Sequence, residues 1–320
     1  MYDVVSLFAG IGGIDLGFIQ SGFNVCWANE LNHAACNTFR HNFGSQYLVE
    51  GDIHDIDESI IPHCDVLAAG FPCQSFSIAG KKKGFSDPRG QLFFDIIRIA
   101  RKIHPPIIFL ENVENLMEHD NGNTFQVVHA SLLELGYIVH YRPMPSHEYA
   151  NIPQTRRRIF IVATWDAGFS RNFRFPEPMP LTVRATEWID RRVRQPDIYY
   201  FTGKTPFERY AIDCVQRDDI IYRTYHGSIT ETRDYMCPTL TANMFKPHNA
   251  PLVRDCYGVR RLTLKECLHF QGFPPDYYFP KSITISDAYR QIGNSVTVPV
   301  VARIAKQISV ALSRCNGETF

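Results

Sequence analysis

Four side chains in this 320-residue sequence have the types and spacings of a nucleophile with its acid and their electrostatic support. Cys73 stands in Gly70-Phe71-Pro72-Cys73-Gln74-Ser75-Phe76-Ser77, Glu111 in Glu111-Asn112-Val113, and Arg156 and Arg158 in Gln154-Thr155-Arg156-Arg157-Arg158. A thiolate, not a thiol, is the attacking form of cysteine. With a free pKa of about 8.5, Cys73 needs local positive potential from lysine, arginine or a helix N-terminus. Asp65-Val66-Leu67-Ala68-Ala69 precedes it and reads as a buried strand, as does Ile107-Ile108-Phe109-Leu110 before Glu111. Open α/β sheets bind ligands outside the carboxyl ends of their strands, which sets Cys73 and Glu111 on the two sides of one crevice. Arg156 and Arg158 can pair with the carboxylate or fork onto a carbonyl or phosphate. Each residue also has a plainer reading. Cys73 would be a small buried hydrophobe, Glu111 a cap or ion-pair partner, and the arginines the surface flank of a strand.

A second constellation suits a nucleotide-like ligand. Gly10-Ile11-Gly12-Gly13 joins a first strand to a helix, letting main chain approach a ligand and presenting helix N–H groups. Glu30 ends the second strand twenty positions after Gly10, where an acidic side chain takes ribose hydroxyls in nucleotide folds. A nicotinamide cofactor is one reading. The dinucleotide fingerprint G-x-G-x-x-G fails, however, because counted from Gly10 its last glycine is Asp15. A nucleoside with a charged sulfonium and an amino-acid tail needs no pyrophosphate grip. Asp52, ending a third strand, could accept from an adenine amino group or cap a helix.

Strand-like and helix-like segments alternate over the first 165 residues, which predicts a mostly parallel sheet covered by helices. Five strands run into polar or glycine-rich ends: Val4-Val5-Ser6-Leu7-Phe8, Val25-Cys26-Trp27-Ala28, Tyr47-Leu48-Val49, the strand before Cys73, and Ile107-Ile108-Phe109-Leu110. Two more are read at Ile138-Val139-His140-Tyr141 and Ile159-Phe160-Ile161-Val162. Prolines cluster from Phe175 to Pro180, and a loop-rich stretch with short β-like runs follows. It closes near Arg260, where Thr263 and Glu266 form a capping box that opens a helix. An amphipathic tail from Ser286 to Ser313 is broken at Gly293-Asn294-Ser295 and Pro299. The expected division is a catalytic domain of residues 1–173, completed by 282–320, and a smaller domain of 174–281.

Formal charge balances at zero, but residues 1–70 hold nine acidic groups and one basic one, Arg40, while residues 71–320 carry a basic surplus of eight. Clusters at Lys81-Lys82-Lys83, Arg156-Arg157-Arg158, Arg191-Arg192 with Arg194, and Arg260-Arg261 permit a phosphate-contacting cleft. Nine cysteines at irregular spacings, with no C-x-x-C pair, argue against a disulfide framework and a zinc site, so no metal is expected. No run approaches ~18 apolar residues and no export signal is read at the N-terminus, which predicts a soluble cytoplasmic chain without membrane contact.

Six segments together resemble a cytosine-C5 DNA methyltransferase of the bacterial modification type. They are Phe8-Ala9-Gly10-Ile11-Gly12-Gly13, Gly70-Phe71-Pro72-Cys73-Gln74-Ser75, Glu111-Asn112-Val113, Gln154-Thr155-Arg156-Arg157-Arg158, Arg261-Leu262-Thr263 with Glu266-Cys267 and Gln271-Gly272-Phe273-Pro274, and Gly293-Asn294-Ser295-Val296. Any one is weak or moderate; six in the family's order are highly specific. The resemblance implies a Rossmann-like methyltransferase sheet with a smaller target-recognition domain across a DNA cleft. It implies that Cys73 attacks C6 of a cytosine, that Glu111 contacts N3 and the exocyclic amine, and that Arg158, supported by Arg156, holds O2 and the glutamate. S-adenosylmethionine is the implied methyl donor and S-adenosylhomocysteine the product. Phe8, Gly10, Ile11, Gly13, Glu30, Asp52, Ile53, Pro72, Leu92, Asn294 and Ser295 fall where the family binds that cofactor.

A stacked, paired cytosine is out of reach of a side chain behind a strand end, so the base must be flipped out of the duplex. The basic, glycine-punctuated stretch from Ser77 to Gln91 reads as a lid that closes on DNA, with Gln74, Ser75, Lys81, Lys82, Lys83 and Arg89 as contacts. Thr239-Leu240 resembles the Thr-Leu pair of the family's recognition domain, and base-reading side chains are expected between about Arg223 and Lys246. Arg223, Arg233, Thr239, Leu240 and Asn243 are the candidates there. The expected partner is double-stranded DNA carrying a short specific site, on the order of 4 to 6 base pairs, bound by a monomer. A separately encoded restriction endonuclease is the expected cognate. Three other readings stand beside this one: the related tRNA cytosine-C5 methyltransferase branch, a non-catalytic nucleic-acid-binding relative, and an oxidoreductase supported only by the glycine-rich turn.

Overall fold

The computed structural model describes residues 1–71, 88–232, 235–315 and 317, with the side chains of 88–91 outside that description. The chain divides into two compact units, one of Met1–Met144, Arg157–Glu177 and Pro299–Phe320, the other of Pro145–Arg156 and Pro178–Val298. The expected boundaries at 173/174 and 281/282 thus lie at 177/178 and 298/299, and residues 145–156 fall in the second unit. The reason is main-chain bonding that composition does not reveal. Cys237 donates to the Pro153 carbonyl at 2.7 Å and Thr155 to the Cys237 carbonyl at 2.9 Å, sewing this segment to the second unit.

From the amino end the first unit runs β1 (Asp3–Leu7), α1 (Gly13–Gln20), β2 (Asn24–Glu30), α2 (His33–Phe43), β3 (Leu48–Glu50), β4 (Val66–Gly70), α3 (Pro88–Ile103), β5 (Ile107–Val113), α4 (Asn123–Glu134) and β6 (Ile138–Pro145). A single helical turn in the second unit, α5 (Ser146–Tyr149), precedes β7 (Arg157–Thr164) and α6 (Ala167–Asn172) of the first. The second unit continues with α7 (Pro206–Cys214), β8 (Tyr222–Tyr225), β9 (Ser228–Glu231), β10 (Leu252–Asp255), β11 (Gly258–Arg261), α8 (Leu264–Phe270) and α9 (Ile285–Asn294). Helix α10 (Val298–Cys315) returns to the first unit, with Pro299 in its opening turn, where a missing N–H costs nothing. Within Ile285–Cys315 one 18-residue window has a mean hydropathy of 1.3, long and apolar enough to cross a membrane by composition alone, but 56% of that window is buried and the helix breaks between Asn294 and Val298.

The seven strands of the first unit lie in the order β3-β2-β1-β4-β5-β7-β6. β1 pairs in parallel with β2 and β4, β2 with β3, and β4 with β5, whereas β7 runs antiparallel to β5. The central strands read as near-continuous apolar runs because helices cover both faces. Val4, Val5, Leu7, Val66–Ala69 and Ile107–Leu110 are fully buried. Strand order reverses between β1 and β4, so their carboxyl ends open the crevice where such sheets take ligands.

The second unit contains a four-stranded sheet, β11-β10-β8-β9, and the helix α7. Thr205 caps α7 by accepting from Glu208 N, a start signal inside the stretch read from sequence as loop. The expected capping box is present: Thr263 accepts from Glu266 N at 3.2 Å and Glu266 accepts from Thr263 N at 2.7 Å. Glu266 and Asp255 together hold Arg260, whose guanidinium is fully buried and donates to both carboxylates at 2.8 Å. Paired and fully hydrogen-bonded, that charge is tolerated in the interior.

Candidate active site

The register of β4 and β5 sets Gly70 directly opposite Glu111. Gly70 ends the strand that leads to Cys73, and a Cβ on it would lie 3.2 Å from Ile14 and 3.5 Å from a Glu111 carboxylate oxygen. A side chain here would crowd Ile14 and only touch the acid. One position on, the Asn112 amide donates to the Phe71 carbonyl at 2.8 Å, a buried bond that ties the end of β5 to the last described residue before Pro72. Pro72, Cys73, Gln74, Ser75, Lys81, Lys82, Lys83 and Arg233, with the side chain of Arg89 and the expected lid, lie outside the described residues.

Across the β5/β7 pair, Arg158 is opposite Val113, and its Nε sits 3.0 Å from Glu111 Oε1. Both side chains are almost buried, at 16% and 10% exposure, so this pair works in a poorly solvated setting where its charges are little screened. Burial pulls the Arg158 guanidinium below its ordinary range, and the Glu111 carboxylate opposes that shift. Neighbouring Arg157 is instead exposed and bonds Glu114 at 2.5 and 2.9 Å.

Arg156, expected to support catalysis, takes a different place. It is 1% exposed, and its guanidinium donates within the second unit to the carbonyls of Leu240 (2.9 Å), Gly293 (3.4 Å) and Ser295. A guanidinium so engaged positions the segments around it and does not address a substrate. Leu240 likewise corrects its assignment as a DNA contact. Its side chain is wholly buried, its N–H donates to Gln154 Oε1 at 3.2 Å, and its carbonyl is held by Arg156. Gly293 makes this packing feasible, since a Cβ there would stand 2.2 Å from the Thr241 carbonyl carbon.

The glycine turn after β1 is built as a cradle. Phe8, Gly10 and Gly12 all have left-handed φ, at 55°, 58° and 78°. A non-glycine residue such as Phe8 rarely adopts that geometry outside functional turns. A Cβ on Gly10 would meet nothing closer than the Phe8 carbonyl at 4.0 Å, so the turn is open above it. Glu30 reaches back to this turn, accepting from Gly10 N at 2.9 Å and Asn32 N at 2.7 Å. Next to Glu30, Leu31 is 63% exposed, an apolar surface at a strand end that sequence reading passed over. Asn29 carries the end of β3 by donating to the Val49 and Gly51 carbonyls at 3.1 and 3.0 Å, placing Asp52. Asp52 takes its capping role, accepting from His54 N at 3.1 Å.

Ile11 and Ile53 are both buried, at 2% exposure. Leu92 packs half-buried on the sheet's core. Asn294 and Ser295 belong to the second unit, the first exposed and the second buried. In that unit Arg223 and Asn243 are exposed, and Thr239 bonds Thr155 through its hydroxyl (3.3 Å) and N–H (3.0 Å).

A Rossmann-like sheet with an acid–arginine pair and a glycine cradle at its switch point defines an α/β methyltransferase architecture. The model of the C-5 cytosine-specific DNA methylase family matches residues 2–310, and the chain belongs to that family. It is 43% identical over 312 residues to the type II methyltransferase M.Bsp6I of Bacillus sp. (strain RFL6), covering 96% of this chain and 98% of that one. To M.HhaI of Haemophilus parahaemolyticus it is 36% identical over 326 residues, covering 97% and 94%. Among solved structures, Spodoptera frugiperda DNMT2 shares the fold with a TM-score of 0.74 at 20% identity, covering 97% of this chain and all of that one.

Proposed function

We propose that this enzyme, a DNA cytosine-C5 methyltransferase, works through covalent attack by Cys73 on a cytosine flipped out of a short specific site, and that it protects DNA against a paired restriction endonuclease. The observation that carries this reading is the Glu111–Arg158 pair at 3.0 Å, on the strand end facing Gly70, three residues before Cys73. Positive charge beside the crevice favours the thiolate. The thiolate adds to C6, and the electron pair released toward C5 makes that carbon nucleophilic. Glu111, opposite N3 and the exocyclic amine, neutralises charge on the ring, while Arg158 holds the carboxylate and the cytosine O2. C5 takes the methyl group; loss of the C5 proton and departure of the Cys73 sulfur then restore aromaticity.

When bound, S-adenosylmethionine supplies an electrophilic methyl at its sulfonium. The open turn over Gly10 fits such a ligand, with Glu30 for the ribose hydroxyls, Phe8 and Leu31 for apolar surface, and the amino end of α1 for the carboxylate tail. Asp52 and main chain at Ile11 and Ile53 border the same end of the sheet. In our reading Leu92 completes the cofactor's surroundings within the first unit, and the chain acts as a monomer in a bacterial cytoplasm.

Cytosine-conversion sequencing of DNA from a host lacking such enzymes, with and without this protein, tests the function. Protection of one cytosine in a single recurrent short sequence is expected. No protected DNA position alongside newly methylated tRNA would overturn it.

A further inference from the structure

The hairpin β8–β9 in the second unit has a surface of unusual composition. Along β8, Tyr222 and Thr224 point inward while Arg223 and Tyr225 are exposed. Their partners across the ladder are Thr230 and Ser228. The outer face of this ribbon therefore bears a guanidinium, a phenol and two hydroxyls, and no carboxylate. The Arg223 guanidinium carbon lies 5.5 Å from the centre of the Tyr225 ring, a cation–π contact that restrains the side chain. In the same unit Arg194, Arg217, Arg260 and Arg290 pair with carboxylates, while Arg223, like Arg184 and Arg209, has no such partner among the described residues.

The tip of the ribbon is fixed as well. His226 and Gly227 form a two-residue turn with φ of 48° and 83°, the left-handed pair of a tight hairpin. Asn249 Oδ1 accepts from His226 N at 3.2 Å, and the His248 carbonyl from Gly227 N at 3.3 Å, countering the cost of a left-handed histidine. Arg223, Tyr225, His226, Thr239, Asn243 and Asn249 line one polar cleft of about 440 Å³.

We propose that this ribbon enters the DNA major groove and that Arg223, steadied by Tyr225, reads a guanine through O6 and N7. A two-stranded ribbon fits that groove, and a forked donor matched to two acceptors is the recurrent guanine contact. The assignment rests on the DNA-methylation reading above and names a specificity-determining residue for it. Thr239 and Asn243 form the opposite wall, and Asn249 acts as a positioning residue for the turn.

The test uses the full chain and duplexes carrying the site recovered by conversion sequencing, with each guanine replaced in turn by 7-deazaguanine. That change removes N7 from the groove and leaves base pairing intact. Wild-type kcat/KM should fall about tenfold at one guanine. Arg223→Ala should lose about 10- to 100-fold on ordinary DNA, keep its melting temperature, and become insensitive to 7-deazaguanine at that one position. An Arg223→Ala enzyme that keeps every sensitivity of the wild type, weakens on all sequences alike and loses about one unit of salt slope would be missing a phosphate contact, which overturns the proposal. Failure to recover any methylated site would overturn the methylation reading and this assignment together.

Discussion

The side-chain amide of Asn112 holds the carbonyl of Phe71 at 2.8 Å in the interior of the first unit. The carboxamide oxygen of the same residue accepts from Val113 N at 2.8 Å, so both ends of the amide are fixed. The residue after Glu111 thereby anchors the strand end that leads to Cys73. Asn112→Ala removes this buried hydrogen bond, costing about 1–3 kcal/mol of stability. It should also lower kcat by about 10- to 100-fold through misplacement of the reacting groups, with S-adenosylmethionine affinity unchanged. Urea melts and single-turnover methylation assays check the two effects, and an unchanged kcat in a folded variant contradicts the anchoring role.

Glu111 and Arg158 are separable by substitution. Glu111→Gln keeps shape but loses the charge and the transferable proton, so methyl transfer should drop by about 10²–10⁴-fold, with DNA binding retained in gel-shift assays. Arg158→Ala removes the cation that sits 3.0 Å from the almost buried carboxylate. Its kcat should fall comparably and the pH–rate profile should shift, because loss of a nearby cation raises a carboxyl pKa. A profile identical to wild type would show that the pair does not act as a unit.

Arg156 should behave as an architectural residue of the second unit. Arg156→Met removes donors from three carbonyls at once, and Gly293→Ala drives a Cβ onto the Thr241 main chain. Each should destabilise that unit by about 3 kcal/mol or more. Limited proteolysis should then cut within residues 178–298 before the first unit, whereas equal protection in both units argues against this role.

Asp15 gives stability a pH dependence. It is fully buried in the first turn of α1, and burial pushes its carboxyl up to about 7, against weaker opposing contributions from its own backbone amide and the Ser6 hydroxyl. Between its ordinary value of 3.8 and about 7 the folded chain keeps a proton that the unfolded chain releases, so stability contributed by the neutral form is lost as pH rises through that window. Asp15→Asn removes the loss. At pH 8 the variant should be more stable than wild type by on the order of 2–4 kcal/mol, with the advantage vanishing near pH 4. Parallel melting curves for the two chains from pH 5 to pH 8 would contradict the assignment.

Much of the first unit was legible in the sequence because its signals are local. Apolar runs ending at Phe8, Asn29, Glu50, Gly70 and Glu111 mark strands by composition, and the glycines at 10 and 12 mark a turn that needs positive φ. Parallel order could then be read from alternation with helices. What could not be read depends on contacts distant in sequence. Whether an arginine in Gln154-Thr155-Arg156-Arg157-Arg158 faces an acid or the interior depends on which carbonyls fold around it, 84 to 139 positions away. Leu240 matched a motif, but burial is a property of the packed unit. Asn112 stood in a quoted motif, and only its bond to Phe71 gives it a task.

The proposed mechanism requires a covalent bond between the Cys73 sulfur and C6 of the target cytosine. Replacing the target by 5-fluorocytosine tests it most directly, since fluorine cannot leave C5 as a proton does and the adduct cannot resolve. With S-adenosylmethionine and such a duplex, intact mass followed by peptide mapping should show one chain bound to one DNA strand through Cys73, and no adduct with Cys73→Ala. An adduct at another residue, or methyl transfer to ordinary cytosine by Cys73→Ala, would rule out covalent catalysis through Cys73.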